Sequence, residues 1–102
     1  MSKELFIKIM LLIQKQTSID NHRADLLEQA FGKDDNYIII MTMLAEELLK
    51  EFIQLLDIDD DDNAVDMLYA LAYDEKYTEE YLSRFYDAAM GKEPLIWEQI
   101  AQ

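Results

Sequence analysis

Between Asp57 and Asp66 the stretch "LLDIDDDDNAVDML" places six aspartates and one asparagine within ten positions. Carboxylate oxygens at alternate positions are what a calcium loop supplies. An EF-hand loop takes ligands from positions 1, 3, 5, 7, 9 and 12, with Gly at 6 for the turn and a bidentate Glu at 12. Counted from Asp57, Asp59 and Asp61 fall at the third and fifth positions. Asp62 then stands where Gly is needed and Leu68 where Glu is needed. Counted from Asp59, Asp61 and Asn63 fit, but Ala64 and Ala70 take the Gly and Glu positions. No tight calcium site is therefore expected at 57–68. Aspartates also cap helix N-termini and interact favourably with the positive end of the helix dipole. One or two suffice for that, which leaves several to explain.

Other constellations carry less. His22 is the only histidine, with Ser18 four residues before it and Asp25 three after. A hydrolase triad needs a strained nucleophile turn and an oxyanion hole, which one regular helix does not supply. One His and no Cys give no zinc spacing. Glycine at 32 and 91 alone gives no phosphate loop. Glu46–Glu47 and Glu79–Glu80 are neighbours that point in different directions on a helix, not catalytic pairs. No catalytic residue, metal or cofactor is expected, and the chain reads as a non-enzyme.

Tyr69, Tyr73, Tyr77, Tyr81 and Phe85 recur every four residues, which makes one slowly winding aromatic stripe on a helix. Such a stripe is core or a helix–helix seam in one reading. In the other it is a binding surface, with aromatic anchors among Asp66, Asp74, Glu75, Glu79 and Glu80. Charge favours a particular partner for that surface. The formal net charge is −13, and residues 57–80 hold ten acids against one base, whereas residues 1–33 hold four acids and five bases. This imbalance repels nucleic acid and acidic membranes and attracts a basic protein surface. The expected contact set is Asp57, Asp59, Asp60, Asp61, Asp62, Asp66, Tyr69, Tyr73, Asp74, Glu75, Tyr77, Glu79 and Glu80, forming one acidic face.

Helices must position these residues. Two glycines and one proline in 102 residues are too few for a β-rich chain, and Leu, Glu, Ala, Met and Gln favour helix. Leu5, Ile9, Leu12, Gln16, Ile19, Arg23, Leu26 and Ala30 alternate spacings of four and three, the pattern of a lengthwise helix seam. They predict one helix over 3–31, stopped by Gly32, with a break near 17 as the alternative. After a turn capped by Asp34, Asp35 or Asn36, a largely buried central helix is predicted over 36–56. The aromatic segment is one helix over 62–90, or two with a break near "DEKYT" and Thr78 as cap. Pro94 opens a short last helix, and Trp97 pins it to the core. The fold class is thus all-α, a single-domain bundle (1–102) of four or five helices with no β-sheet.

Absence of cysteine argues against disulfides and secretion. No apolar stretch reaches the ~20 residues of a membrane span, so a cytoplasmic protein with no membrane contact is expected. With 51% hydrophobic residues in a small chain, at least a weak homodimer is expected.

The ordering "AFGKDDNY", an apolar helix, then "DDNAVDMLYALAYDEKY" resembles small acidic helical proteins encoded by phages and prophages of low-GC Gram-positive bacteria. Asn63 stands where that pattern has an aromatic, and Ala70 where it has an acid. The resemblance implies a setting, since such proteins include inhibitors of host and defence enzymes, some of them mimics of DNA charge. Three function classes compete, in order: an acidic module for a basic protein surface such as a nucleic-acid-binding site; a self-assembling helical protein; an enzyme or divalent-metal-binding protein that uses the Asp run.

Overall fold

Ser2 starts the first helix, its Oγ accepting a hydrogen bond from Leu5 N–H at 3.2 Å. The computed structural model describes residues 1–33, 35–91 and 94–101. They form α1 (Lys3–Phe31), α2 (Asp35–Thr42), α3 (Leu44–Leu56), α4 (Asp62–Ala72), α5 (Glu79–Met90) and a five-residue α6 (Trp97–Ala101). No strand occurs among the described residues, and the all-α class holds. At 29 residues α1 rises about 43 Å, nearly the full 47 Å length of the molecule. It is unbroken at 17 and packs against α2, α3, α4 and α5. Gly32 stops it at φ 80°, a backbone angle that favours glycine.

The face α1 buries differs from the expected seam by one residue. Phe6, Met10, Ile13, Thr17 and Asp20 are buried, again at spacings of four and three. The expected seam residues Leu5, Leu12, Ile19 and Leu26 are exposed. At the centre, Phe6 stacks on Phe52 of α3 and Phe85 of α5, with centroids 5.7 and 5.9 Å away. Leu49, Leu68, Leu71 and Leu82 close the cluster around it. Each such side chain contributes roughly 1.5–3 kcal/mol on burial.

A further correction concerns the segment after Gly32, and the aromatic segment takes the second of its two expected forms. The segment 36–56 is two helices, not one, and much of it is open to solvent. Met43 sits between α2 and α3 at φ −77°, ψ 10°, outside the helical basin. Ile39, Met41, Leu44, Leu48 and Leu55 are exposed. The break is stabilised from outside the segment, because Asp20 of α1 supplies the start of α3. Of the expected caps, Asp34 lies outside the described residues, while Asp35 and Asn36 fall inside α2. The aromatic segment is also two helices, divided at the "DEKYT" turn. Thr78 holds the N-cap position of α5 with extended backbone but no side-chain bond. The last helix begins at Trp97, three residues after Pro94, and buries Ile100 most deeply. Among the described residues, no helix is long and apolar enough to cross a membrane.

Candidate acidic interface on helix α4

The aspartate run is the corner between α3 and α4. Asp57 ends α3 in the left-handed conformation, φ 57° and ψ 42°, where Asp and Asn are tolerated better than other side chains. Ile58 turns into the core, and its carbonyl accepts from Asp61 N–H at 3.0 Å. Asp61 caps α4, its Oδ1 accepting from Ala64 N–H at 3.2 Å. Asp62 lies in the first turn, where the helix dipole favours a negative charge. Three of the run thus serve helix ends, while Asp59 and Asp60 stand in the exposed turn.

From this corner a stripe runs down α4, exposed except at Tyr69, which is half-buried against the core. Asp62, Asp66, Tyr69 and Tyr73 are spaced four, three and four apart and share one face. The Tyr69 and Tyr73 rings are tilted against each other at 5.8 Å. Partial burial, then the Glu46 carboxylate, then Tyr69 push the Tyr73 phenol above its usual pKa. It therefore stays neutral and able to donate a hydrogen bond. No described cation forms an ion pair with any of Asp57, Asp59, Asp60, Asp61, Asp62 or Asp66. Six described cations pair elsewhere: Lys3 with Asp87, Lys8 with Glu4, Lys33 with Glu28, Lys50 with Glu46, Lys76 with Asp74, Arg84 with Glu80.

The remaining residues of the expected face lie at the other end of α4, about 16 Å along its axis. There the Lys76 backbone N–H, bonded to Asp74 Oδ1 at 3.0 Å, holds the Asp74 carboxyl below its usual pKa. Glu80 is engaged by Arg84. Glu75 borders Gln14 and Ser18, and Glu79 lines a groove with Ile7 and Lys8. The acids thus form two groups rather than one continuous face, the second turned toward α1. The tyrosines divide likewise. Tyr77 packs edge-on against Tyr81 at 5.4 Å and Trp97 at 5.6 Å, while Tyr69, also half-buried, pairs with exposed Tyr73 on the α4 stripe.

Three buried polar residues of α1 fix this arrangement, and the sequence reading passed over them. Gln14 Nε2 donates to the carbonyls of Leu71 and Tyr77, both at 2.8 Å. The single Thr17 Oγ1 proton is shared between Ile13 O at 3.0 Å and Ala72 O at 3.3 Å. Both satisfy carbonyls that the last turn of a helix leaves without partners. Asp20 Oδ2 accepts from Ala45 N–H at 2.7 Å, and its Oδ1 accepts from Gln16 Nε2 at 2.8 Å. The only signal for these roles is a break of polar residues into an otherwise apolar helix.

Ser18, His22 and Asp25 are exposed on the regular α1 helix, with no anion-binding turn beside them. Among the described residues, no three His, Cys, Asp or Glu side chains are placed to hold a metal ion. No protein-family model matches the chain, and no significant match joins it to a curated protein or a solved structure.

Proposed function

We propose that this chain is a non-enzymatic binding protein whose acidic corner and α4 stripe occupy a Lys/Arg-rich surface on a protein partner. The observation that carries the reading is the absence of ion pairs, among the described residues, at the six aspartates from Asp57 to Asp66, beside exposed Tyr73 and half-buried Tyr69 on the same helix face. Carboxylates supply attraction at long range, and Tyr69 and Tyr73 offer ring faces to Lys or Arg side chains once contact is made. The resemblance to phage proteins gives the partner a setting: a host or defence protein that binds nucleic acid. Charge density supports that choice. Residues 57–66 carry six acids and no base, a one-signed array of the kind a phosphate-binding surface meets on nucleic acid. The uncharged interval at Tyr69–Tyr73 separates two charged zones and suits an apolar or cation–π contact. Direct nucleic-acid binding is not part of the reading, since phosphates would be repelled.

Changing Asp59, Asp60, Asp61 and Asp62 together to Asn tests it. Asn caps a helix about as well as Asp, so the helical spectrum is retained while four charges are removed. Affinity for a basic partner should drop, and the drop should shrink as salt rises. A variant that binds as tightly as wild type at low salt overturns the reading.

A further inference from the structure

The heptad stripe of α1 is left over after the bundle has packed. Leu5, Leu12, Ile19 and Leu26 recur every seven residues and are 47%, 66%, 46% and 51% exposed. The intramolecular seam, one residue further on, does not use them. A sustained heptad is the pattern of a helix lying lengthwise on another helix, and here that other helix is missing from the monomer. Beside the stripe runs an apolar groove of about 410 Å³, walled by Leu12 of α1 and by Leu48 and Leu55 of α3, with Phe52 among its lining residues. Leu55 is 73% exposed.

We infer that a second copy of this chain occupies this groove, with the two α1 helices antiparallel. Charge selects both occupant and direction. The first half of α1 carries Lys3, Lys8 and Lys15 against Glu4; the second carries Asp25 and Glu28 on its surface against Arg23, with Asp20 buried beneath. Positive charge at the N-terminal end and negative charge at the C-terminal end add to the helix macrodipole rather than offset it. An antiparallel copy lays each half over its opposite and opposes the two dipoles. Residues 3–28 sum to zero charge within a chain of −13. α3 adds Glu46, Glu47 and Glu51, the last lining the groove, against Lys50, so the whole face carries only −2; a second acidic copy meets little repulsion there, whereas a basic partner is drawn to the α4 corner. A twofold axis through the middle of α1, beside Gln16, pairs Leu5 with Leu26 and Leu12 with Ile19 of the copy and makes the patch self-complementary. Taking each helix as about 10 Å wide, α1 and α3 offer roughly 600 Å² per copy. A standard stable interface has about 800 Å² per partner, so the dimer is weak.

Sedimentation of the full chain between about 10 and 300 µM tests this. Because each copy carries −13, the dimer should tighten several-fold as salt rises from about 50 to 500 mM, the reverse of a charge-driven complex. The paired change Leu12→Lys and Ile19→Lys alters only exposed side chains and should yield a monomer with an unchanged helical spectrum. The chain has no cysteine, so introduced ones report direction. Leu12→Cys should cross-link to Ile19→Cys and not to itself. Leu5→Cys and Leu26→Cys, roughly 32 Å apart along α1, should cross-link only when mixed. A wild type that stays monomeric at the highest concentration and salt overturns the inference. So does a dimer that survives the paired lysines, or a Leu5→Cys chain that cross-links to itself.

Discussion

The Asp20 carboxylate of α1 accepts the backbone N–H of Ala45, at 2.7 Å and buried, so one helix caps another across 25 residues of sequence. Met43, at the N-cap position of α3, offers no side-chain cap of its own. Asp20→Ala leaves the Ala45 N–H and the Gln16 amide without this partner. It should cost about 2 kcal/mol, or about 4–8 °C of melting temperature per kcal/mol. Asp20→Asn keeps an acceptor and should cost less. Equal melting temperatures for wild type and Asp20→Ala would show that the cap contributes nothing.

Gln14 is the corresponding residue for α4 and the turn that follows. Gln14→Ala frees the Leu71 and Tyr77 carbonyls together and should cost about 1–3 kcal/mol. Its signature is local: amide exchange should quicken at residues 73–78 before the rest of the bundle loosens. Uniform quickening across all helices would place the role of Gln14 elsewhere.

These two residues also show where sequence reasoning stops. Two adjacent stripes of α1 carry heptad spacing, and hydropathy selects the one with Leu5, Leu12, Ile19 and Leu26. The bundle buries the other, because Gln14, Thr17 and Asp20 find partners 25 to 63 residues away. A polar side chain reads as surface until such partners are known. The break at Met43 was hidden for the same reason, with neither Gly nor Pro to mark it and its cap on another helix. By contrast, the start of α4 was legible, since Asp61 is a local cap, and so was the turn at "DEKYT". The aromatic repeat was legible as a pattern, but that turn divides it between packing and surface.

Within the aspartate run, neighbours should differ sharply. Asp61→Ala removes the α4 cap and should cost about 0.5–2 kcal/mol in urea unfolding. Asp59→Ala, in the exposed turn, should be neutral within about 0.5 kcal/mol. Equal costs would contradict the division of the run into capping and free charges.

Stability should fall at both ends of the pH scale for identifiable reasons. The folded Asp74 carboxyl has a lowered pKa, so its contribution is present above the unfolded carboxylate pKa and is lost as pH falls through the folded value. Tyr73 has a raised pKa, so its contribution is present below pH 10 and is lost as pH rises through the higher folded value. Asp74→Asn should flatten the acid limb of a stability–pH curve, and Tyr73→Phe the alkaline limb. Limbs unchanged by either variant would assign the pH dependence to other groups.

The central claim is that the α3–α4 corner and the α4 stripe form the contact for a basic partner. Titrating isotope-labelled protein with an oligo-arginine peptide at about 50 mM salt, followed by amide NMR, tests it most directly. The account predicts that the largest shifts fall on residues 57–66, 69, 70 and 73. It predicts that the fourfold Asp→Asn variant at 59–62 binds at least about tenfold more weakly with its helical spectrum intact. Shifts spread evenly over the carboxylates of α3, α5 and α6, with the variant binding as tightly as wild type, would contradict it.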